Sequence, residues 1–191
     1  MNSKKIIMIV FVMVALVQIY VPAKMIMDRE NVLRTGTEYK FRTAPVDPSD
    51  PFRGKYITLN FAENTVGVQN EDDWVSGESV YLSLKTDEEG FVKINSVSKE
   101  KPDESEDFLK AKVWFVSGDT TNILTVQYPF DRYYMEESKA YPAELAYIDS
   151  QQNDSLETYA LVRIKNGEAV LKDVLIDGIS INEIVKAQQE E

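Results

Sequence analysis

Thr158-Tyr-Ala-Leu-Val-Arg-Ile-Lys-Asn-Gly-Glu-Ala-Val-Leu-Lys-Asp-Val-Leu175 reads as two strands around a two-residue turn. Ala160, Val162 and Ile164 alternate with bulkier or charged neighbours, and Asn166-Gly167 accepts the positive φ angles that a type I′ turn requires at both central positions. The segment therefore predicts an antiparallel hairpin. Upstream the same reading repeats. Val80, Leu82 and Leu84 share a face of Ser79 to Leu84, Thr86-Asp-Glu-Glu-Gly90 turns, and Phe91 to Val97 returns. Leu109, Ala111, Val113 and Phe115 align within Phe108 to Val116, Ser117-Gly-Asp-Thr120 turns, and Ile123 to Tyr128 follows. Three hairpins at short intervals, with no long helical pattern between them, predict an antiparallel β-sandwich or small barrel. The polar runs Lys99 to Asp107 and Asp149 to Glu157 read as exposed loops, and the chain from Ile179 to Gln189 as a segment ending in a short helix.

Tyr39 to Thr43 alternates aromatic and basic residues and reads as the first strand. It runs into Pro45-Val-Asp-Pro-Ser-Asp-Pro-Phe-Arg-Gly-Lys-Tyr-Ile-Thr-Leu-Asn-Phe61. Three prolines at every third position remove three backbone donors and exclude helix from Ala44 to Phe52. Tyr56 to Phe61 then alternates, with Ile57, Leu59 and Phe61 on one face and Tyr56, Thr58 and Asn60 on the other. Asp47 and Asp50 stand three residues apart with Arg53 three further on, so one carboxylate can take a bidentate contact from the guanidinium. Such a contact reads first as an internal pin for this loop, with a surface that receives a partner and an active site as the other readings. Gly54, before the strand, marks a turn or a close backbone approach.

Before this domain, Ile6 to Val21 contains only Gln18 as a polar member and spans about 24 Å as a helix. Continued to Met27, with Lys24 snorkelling, it reaches about 33 Å and crosses a bilayer core of ~30 Å. A cleavable signal peptide ending near residue 23 is the competing reading. Lys4 and Lys5 place the N-terminus in the cytoplasm and export the remainder. Asp28 onward reads as a helical extension with Gly36 as its stop.

Composition narrows the chemistry. The chain of 191 residues carries a formal charge of −11. Without Lys4 and Lys5, 19 basic residues oppose 32 acidic ones from Lys24 onward, a balance of −13. Nucleic acid is a poor partner for that surface, and close contact with anionic headgroups is disfavoured. The chain has no Cys and no His, which removes disulfides, thiolate nucleophiles, zinc-thiolate sites and the usual neutral-pH general base. No metal or cofactor is expected.

Tyr128-Pro-Phe-Asp-Arg-Tyr-Tyr-Met-Glu-Glu137 packs four aromatics, an arginine and three carboxylates into ten residues. It reads either as a core aromatic cluster with a salt bridge or as an exposed recognition patch rich in Tyr and Arg. Ser49, Thr58 and Ser76 are the hydroxyl nucleophiles for a Ser-Lys arrangement, without a flanking motif.

Gly54-Lys55-Tyr56-Ile57-Thr58-Leu59-Asn60-Phe61 resembles the signature of the GDYXXLXY family of membrane-anchored bacterial envelope proteins, with lysine for the aspartate and phenylalanine for the final tyrosine. Pro45 to Pro48 with Phe52-Arg53 resembles the family's lead-in, and Phe130-Asp-Arg-Tyr-Tyr134 with Glu136 and Glu137 its second block. The resemblance implies a membrane-tethered extracytoplasmic domain, often encoded beside a multi-pass membrane protein, with no established activity.

These readings define the expected organisation: a cytoplasmic N-terminus at 1–5, an anchor in the bilayer at 6–27, a juxtamembrane helix or linker at 28–38, an extracytoplasmic β-domain at 39–182 and a tail at 183–191. The expected function is binding of a protein partner, a multi-pass membrane protein, through Asp47, Asp50, Phe52, Arg53, Gly54, Tyr56, Arg132, Tyr133, Tyr134 and Glu137. An envelope enzyme using carboxylates or a Ser-Lys pair is the alternative.

Overall fold

The computed structural model describes residues 3–45, 56–103, 107–118, 122–153 and 155–190. Helix α1 (Ser3–Thr35) continues unbroken through Pro22 and beyond the apolar run. Its large apolar side chains from Ile6 to Met27 stand exposed, and the first residue it buries is Val32. This is one helix long and apolar enough to cross a membrane. The Gly36 N–H donates to the Val32 carbonyl (2.9 Å), and strand β1 (Thr37–Ala44) begins at the next residue. A side chain at 36 would put its Cβ 2.6 Å from the Val32 oxygen and 2.9 Å from the Ile164 oxygen. Glycine there permits close backbone approach as well as ending the helix.

The chain continues through β2 (Tyr56–Thr58), β3 (Asn60–Phe61), β4 (Thr65–Gly67), β5 (Ser79–Thr86), β6 (Val92–Ser98), β7 (Phe108–Ser117), β8 (Ile123–Gln127) and β9 (Arg132–Tyr134). Helix α2 (Glu137–Gln152), β10 (Thr158–Lys165), β11 (Glu168–Ile176), β12 (Ile179–Ser180) and α3 (Ile181–Glu190) complete it. One five-stranded sheet has the order β12-β11-β10-β1-β3 and the other β4-β8-β7-β5-β6, all pairs antiparallel. Because β4 also lies beside β6, the second sheet nearly closes on itself as a barrel. All three hairpins expected from the sequence are present, as β5/β6, β7/β8 and β10/β11.

Each hairpin carries a bulge, and the bulges correct the simple alternation. In β7 the register jumps from Val113↔Val126 to Phe115↔Thr125, leaving Trp114 as the extra residue. Phe115, expected on the buried face with Val113, is 49% exposed beside Trp114 at 56%. A bulge adds one residue to one strand and so inverts the facing of everything after it.

Helix α2 departs from the sequence expectation most. Asp149 to Gln152, read as loop, are its last turn. Its buried positions, Ala140, Ala143, Tyr147 and Ser150, recur at helical spacing, but three of the four are small or polar and leave little apolar signal. Pro142 removes a donor from the helix, and the Ser138 carbonyl four residues earlier instead accepts from the Gln189 side chain of α3 (3.3 Å). α3 supplies the matching face through Ile181 and Val185. A buried polar chain fastens the end of α2 to the sheet: Gln151 Nε2 donates to Thr43 Oγ1, Thr43 to the Thr158 carbonyl, and Thr158 to Ser150 Oγ.

Gly167, in the β10/β11 turn, has φ +85°, and a Cβ would lie 2.5 Å from the Phe108 ring. Gly167→Val therefore combines left-handed strain with overlap against a buried aromatic and should cost about 2 kcal/mol or more. Gly178→Ala shares the positive φ (+79°) but meets open space, so its cost should stay near ~1 kcal/mol. Chemical denaturation of the full chain in detergent, followed by circular dichroism, measures both. Equal losses would remove the Phe108 contact from the explanation.

Candidate functional site

Two strands build the site. Tyr56, Ile57 and Thr58 of β2 pair with Tyr134, Tyr133 and Arg132 of β9. The Leu59 N–H then donates to the Asp131 carbonyl (2.8 Å), after which Asn60 and Phe61 pair with Ala44 and Thr43 of β1. The motif strand thus passes from a short ribbon into the edge of the first sheet. Ile57, Leu59 and Phe61 are buried, the facing predicted from their alternation. Phe61 joins Phe41, Tyr128 and Phe130, whose ring centroids lie 5.1–5.8 Å apart. Five of these six contacts are edge-to-face, the arrangement that aromatic quadrupoles favour.

The Tyr128-to-Glu137 block, read as either core or patch, divides between the two. Tyr128 and Phe130 are in the core. Tyr133 is half-buried: its hydroxyl donates to Asp173 Oδ1 (3.0 Å) and accepts from Asn182 Nδ2 (2.7 Å), tying β9 to β11 and α3. Tyr134 is 66% exposed. Its ring lies 5.4 Å from that of Tyr56, and the Arg132 guanidinium stands over Tyr56 at 4.9 Å. Glu137 opens α2 in its first turn, where a carboxylate is favoured by the helix dipole.

The half-buried Tyr56 and the exposed Arg132 and Tyr134 consequently form one cation-aromatic surface on a hydrogen-bonded ribbon. Asp47, Asp50, Phe52, Arg53 and Gly54 lie outside the described residues, as does Ser49. Ser76 directs its hydroxyl to the Trp114 carbonyl (2.7 Å). Among the described residues no group of three or more acidic side chains is placed to hold a metal ion. A cleft of about 540 Å³ opens beside the ribbon, lined by Arg132, Tyr133 and Tyr134 together with Arg29 of α1 and Lys172 of β11. Asp173, Asn182, Arg29 and Lys172 had no signal in the sequence, because each meets the ribbon across about 40 to 100 residues of chain.

The arrangement is that of a two-sheet antiparallel domain carried on an apolar helix, with a signature strand shared between sheet and ribbon. The chain belongs to the family described as GDYXXLXY protein, whose model matches residues 18–174. Neither a curated protein nor a solved structure matches it. In this member Phe61 occupies the signature's last position, where its ring is packed among three others and needs no hydrogen-bond partner.

Buried phenols give the domain an alkaline limit. Burial, and secondarily the hydrogen bond to Asp107, pushes Tyr39 up to about 12, and burial also pushes Tyr147 up to about 12. Tyr128 and Tyr133 are raised further, again chiefly by burial. Because these folded-state values exceed the ordinary phenol value of ~10, the stabilisation is complete below about pH 10 and is lost as pH rises toward 12 and beyond. Stability should therefore be level with respect to these groups from about pH 7 to 9 and fall above about 10. Phenolate absorbance should rise in two phases, exposed tyrosines first and the buried set together with unfolding. A single phase without unfolding would contradict the assignment.

Proposed function

We propose that this protein is a single-pass, membrane-tethered accessory module of the bacterial envelope, with its N-terminus in the cytoplasm. Its exported domain receives an integral membrane partner at the Tyr56-Arg132-Tyr134 surface. The observation that carries the docking site is the exposed Tyr134, set against Tyr56 and Arg132 on a paired ribbon. Tyrosine and arginine are the side chains most often found as interface anchors, and strand pairing pre-organises them so that little ordering remains for the binding step. Asp47, Asp50, Phe52, Arg53 and Gly54 precede Tyr56 in the sequence and lie outside the described residues. Support for the tether comes from an apolar helix that buries nothing before Val32 and from two lysines at its start.

Arg132→Ala and Tyr134→Ala change exposed positions and should alter stability by no more than about 0.5 kcal/mol. Recovery of a membrane partner from mild-detergent extracts should drop severalfold for each. Unchanged recovery in both variants would reject the docking surface. For the tether, the protein should resist carbonate extraction, and protease added outside a cell stripped of any outer barrier should digest the domain. Carbonate-soluble, shielded protein would reject it.

A further inference from the structure

Two clefts meet beneath the domain where α1 enters it. The 540 Å³ cleft described above shares Arg29, Pro129 and Ala169 with a second of about 400 Å³, so the two form one trough around the base of the helix. Its walls bring together Arg29, Lys110, Lys112, Arg132 and Lys172, with Asp131 and Glu168 as the opposing carboxylates. Five cations against two anions is a local reversal in a chain of net −11. Lys172 also pairs with Glu38 (2.8 Å), but Lys110 and Lys112 are exposed and have no ion pair among the described residues.

The trough's depth follows from the helix. Arg29 is two residues beyond Met27, the end of the apolar run, which is about 3 Å along the axis. The headgroup layer extends roughly 5 to 8 Å beyond the hydrocarbon core on each side. Arg29 is held in place by donating to the Ala169 carbonyl (3.2 Å), on the rim that both clefts share. With α1 in a bilayer, the trough therefore opens at the level of the lipid phosphates. Lys110 and Lys112 point outward on the face of β7 that also presents the exposed Trp114, a residue type favoured at membrane interfaces.

We propose that this trough holds the phosphate of an anionic phospholipid headgroup from the leaflet on the domain's side of the membrane. Arg29 supplies a planar donor pair for the phosphate oxygens, and Lys110 and Lys112 supply flexible point charges. This inference rests on the tether reading; the trough shares Arg132 and Tyr134 with the protein-docking surface, but Arg29, Lys110 and Lys112 lie outside that surface.

The test uses the full chain, purified in neutral detergent and reconstituted with equal amounts of phosphatidylglycerol and phosphatidylcholine. Lipid retained on re-extraction is counted by mass spectrometry. Wild type should retain phosphatidylglycerol over phosphatidylcholine by about a hundredfold, since each cation near an anionic lipid surface contributes roughly a fivefold preference and Asp131 and Glu168 offset two of the five cations. Lys110→Gln with Lys112→Gln, both exposed and therefore compatible with folding, should reduce the preference by about 25-fold, and adding Arg29→Gln, which balances the remaining cations against the two carboxylates, should abolish it. Lys186→Gln, on α3 outside the trough, should leave it unchanged. Equal retention of both lipids by wild type overturns the proposal, as does displacement of the lipid by inorganic phosphate at tens of millimolar, which would make the trough a free-phosphate site. Flotation with pure phosphatidylcholine vesicles separates the two readings: flotation without lipid preference defeats only the trough, whereas failure to float defeats the tether and the trough together.

Discussion

The packing of Phe41, Phe61, Tyr128 and Phe130 is the contact on which the rest of the domain depends. The four rings come from β1, from the signature strand and from the segment between β8 and β9. They join the first sheet, the β2/β9 ribbon and the exit from the second sheet in one cluster. Edge-to-face pairs add about 0.5–1.5 kcal/mol each beyond the area they bury, and burial of four large rings adds several kcal/mol more. The Tyr128 hydroxyl also donates to the Glu63 carbonyl, so the one polar tip in the cluster is satisfied. With Phe61 anchored there, alternation leaves Tyr56 facing outward five residues earlier.

The proposed docking surface follows from that anchoring. Leu59 is bound to the backbone of Asp131, and Ile57 faces inward opposite Tyr133. Tyr133 in turn is held by Asp173 and Asn182, which fixes β9 against β11 and α3. Arg132 and Tyr134, on either side of it, then project to the opposite face. The same strand that buries three apolar side chains thus displays its partners' cation and aromatic ring.

The junction between α1 and the domain is equally constrained. Gly36 lets the helix end lie against the Ile164 backbone, Arg163 donates to the Gly36 carbonyl (2.8 Å), and Lys165 donates to Thr35 Oγ1 (2.6 Å). With Arg29 bound to Ala169, the β10/β11 hairpin grips the last two turns of the helix. The domain is carried on a short, stiff stem, which places its base beside the end of the apolar run.

Local pattern by itself determined the apolar helix, the three hairpins, the Asn166-Gly167 turn and the facing of Tyr56 to Phe61. Each depends on residues within a few positions of one another, where backbone period and turn sterics leave few alternatives. The signature was also readable as sequence, down to its substitutions at Lys55 and Phe61. Tertiary structure alone decided the rest. Bulges at Trp114 and Lys172 depend on strand partners and displace the side chains that follow them. Helix α2 is stabilised by contacts to α3 and by the Thr43-Thr158-Ser150 chain rather than by an apolar stripe of its own. The division of the Tyr128-to-Glu137 block into core and surface required β2 as its partner. The gathering of Arg29, Lys110, Lys112, Arg132 and Lys172 is invisible in a net charge of −11, because charge summed along a chain carries no information about which residues the fold brings to one wall.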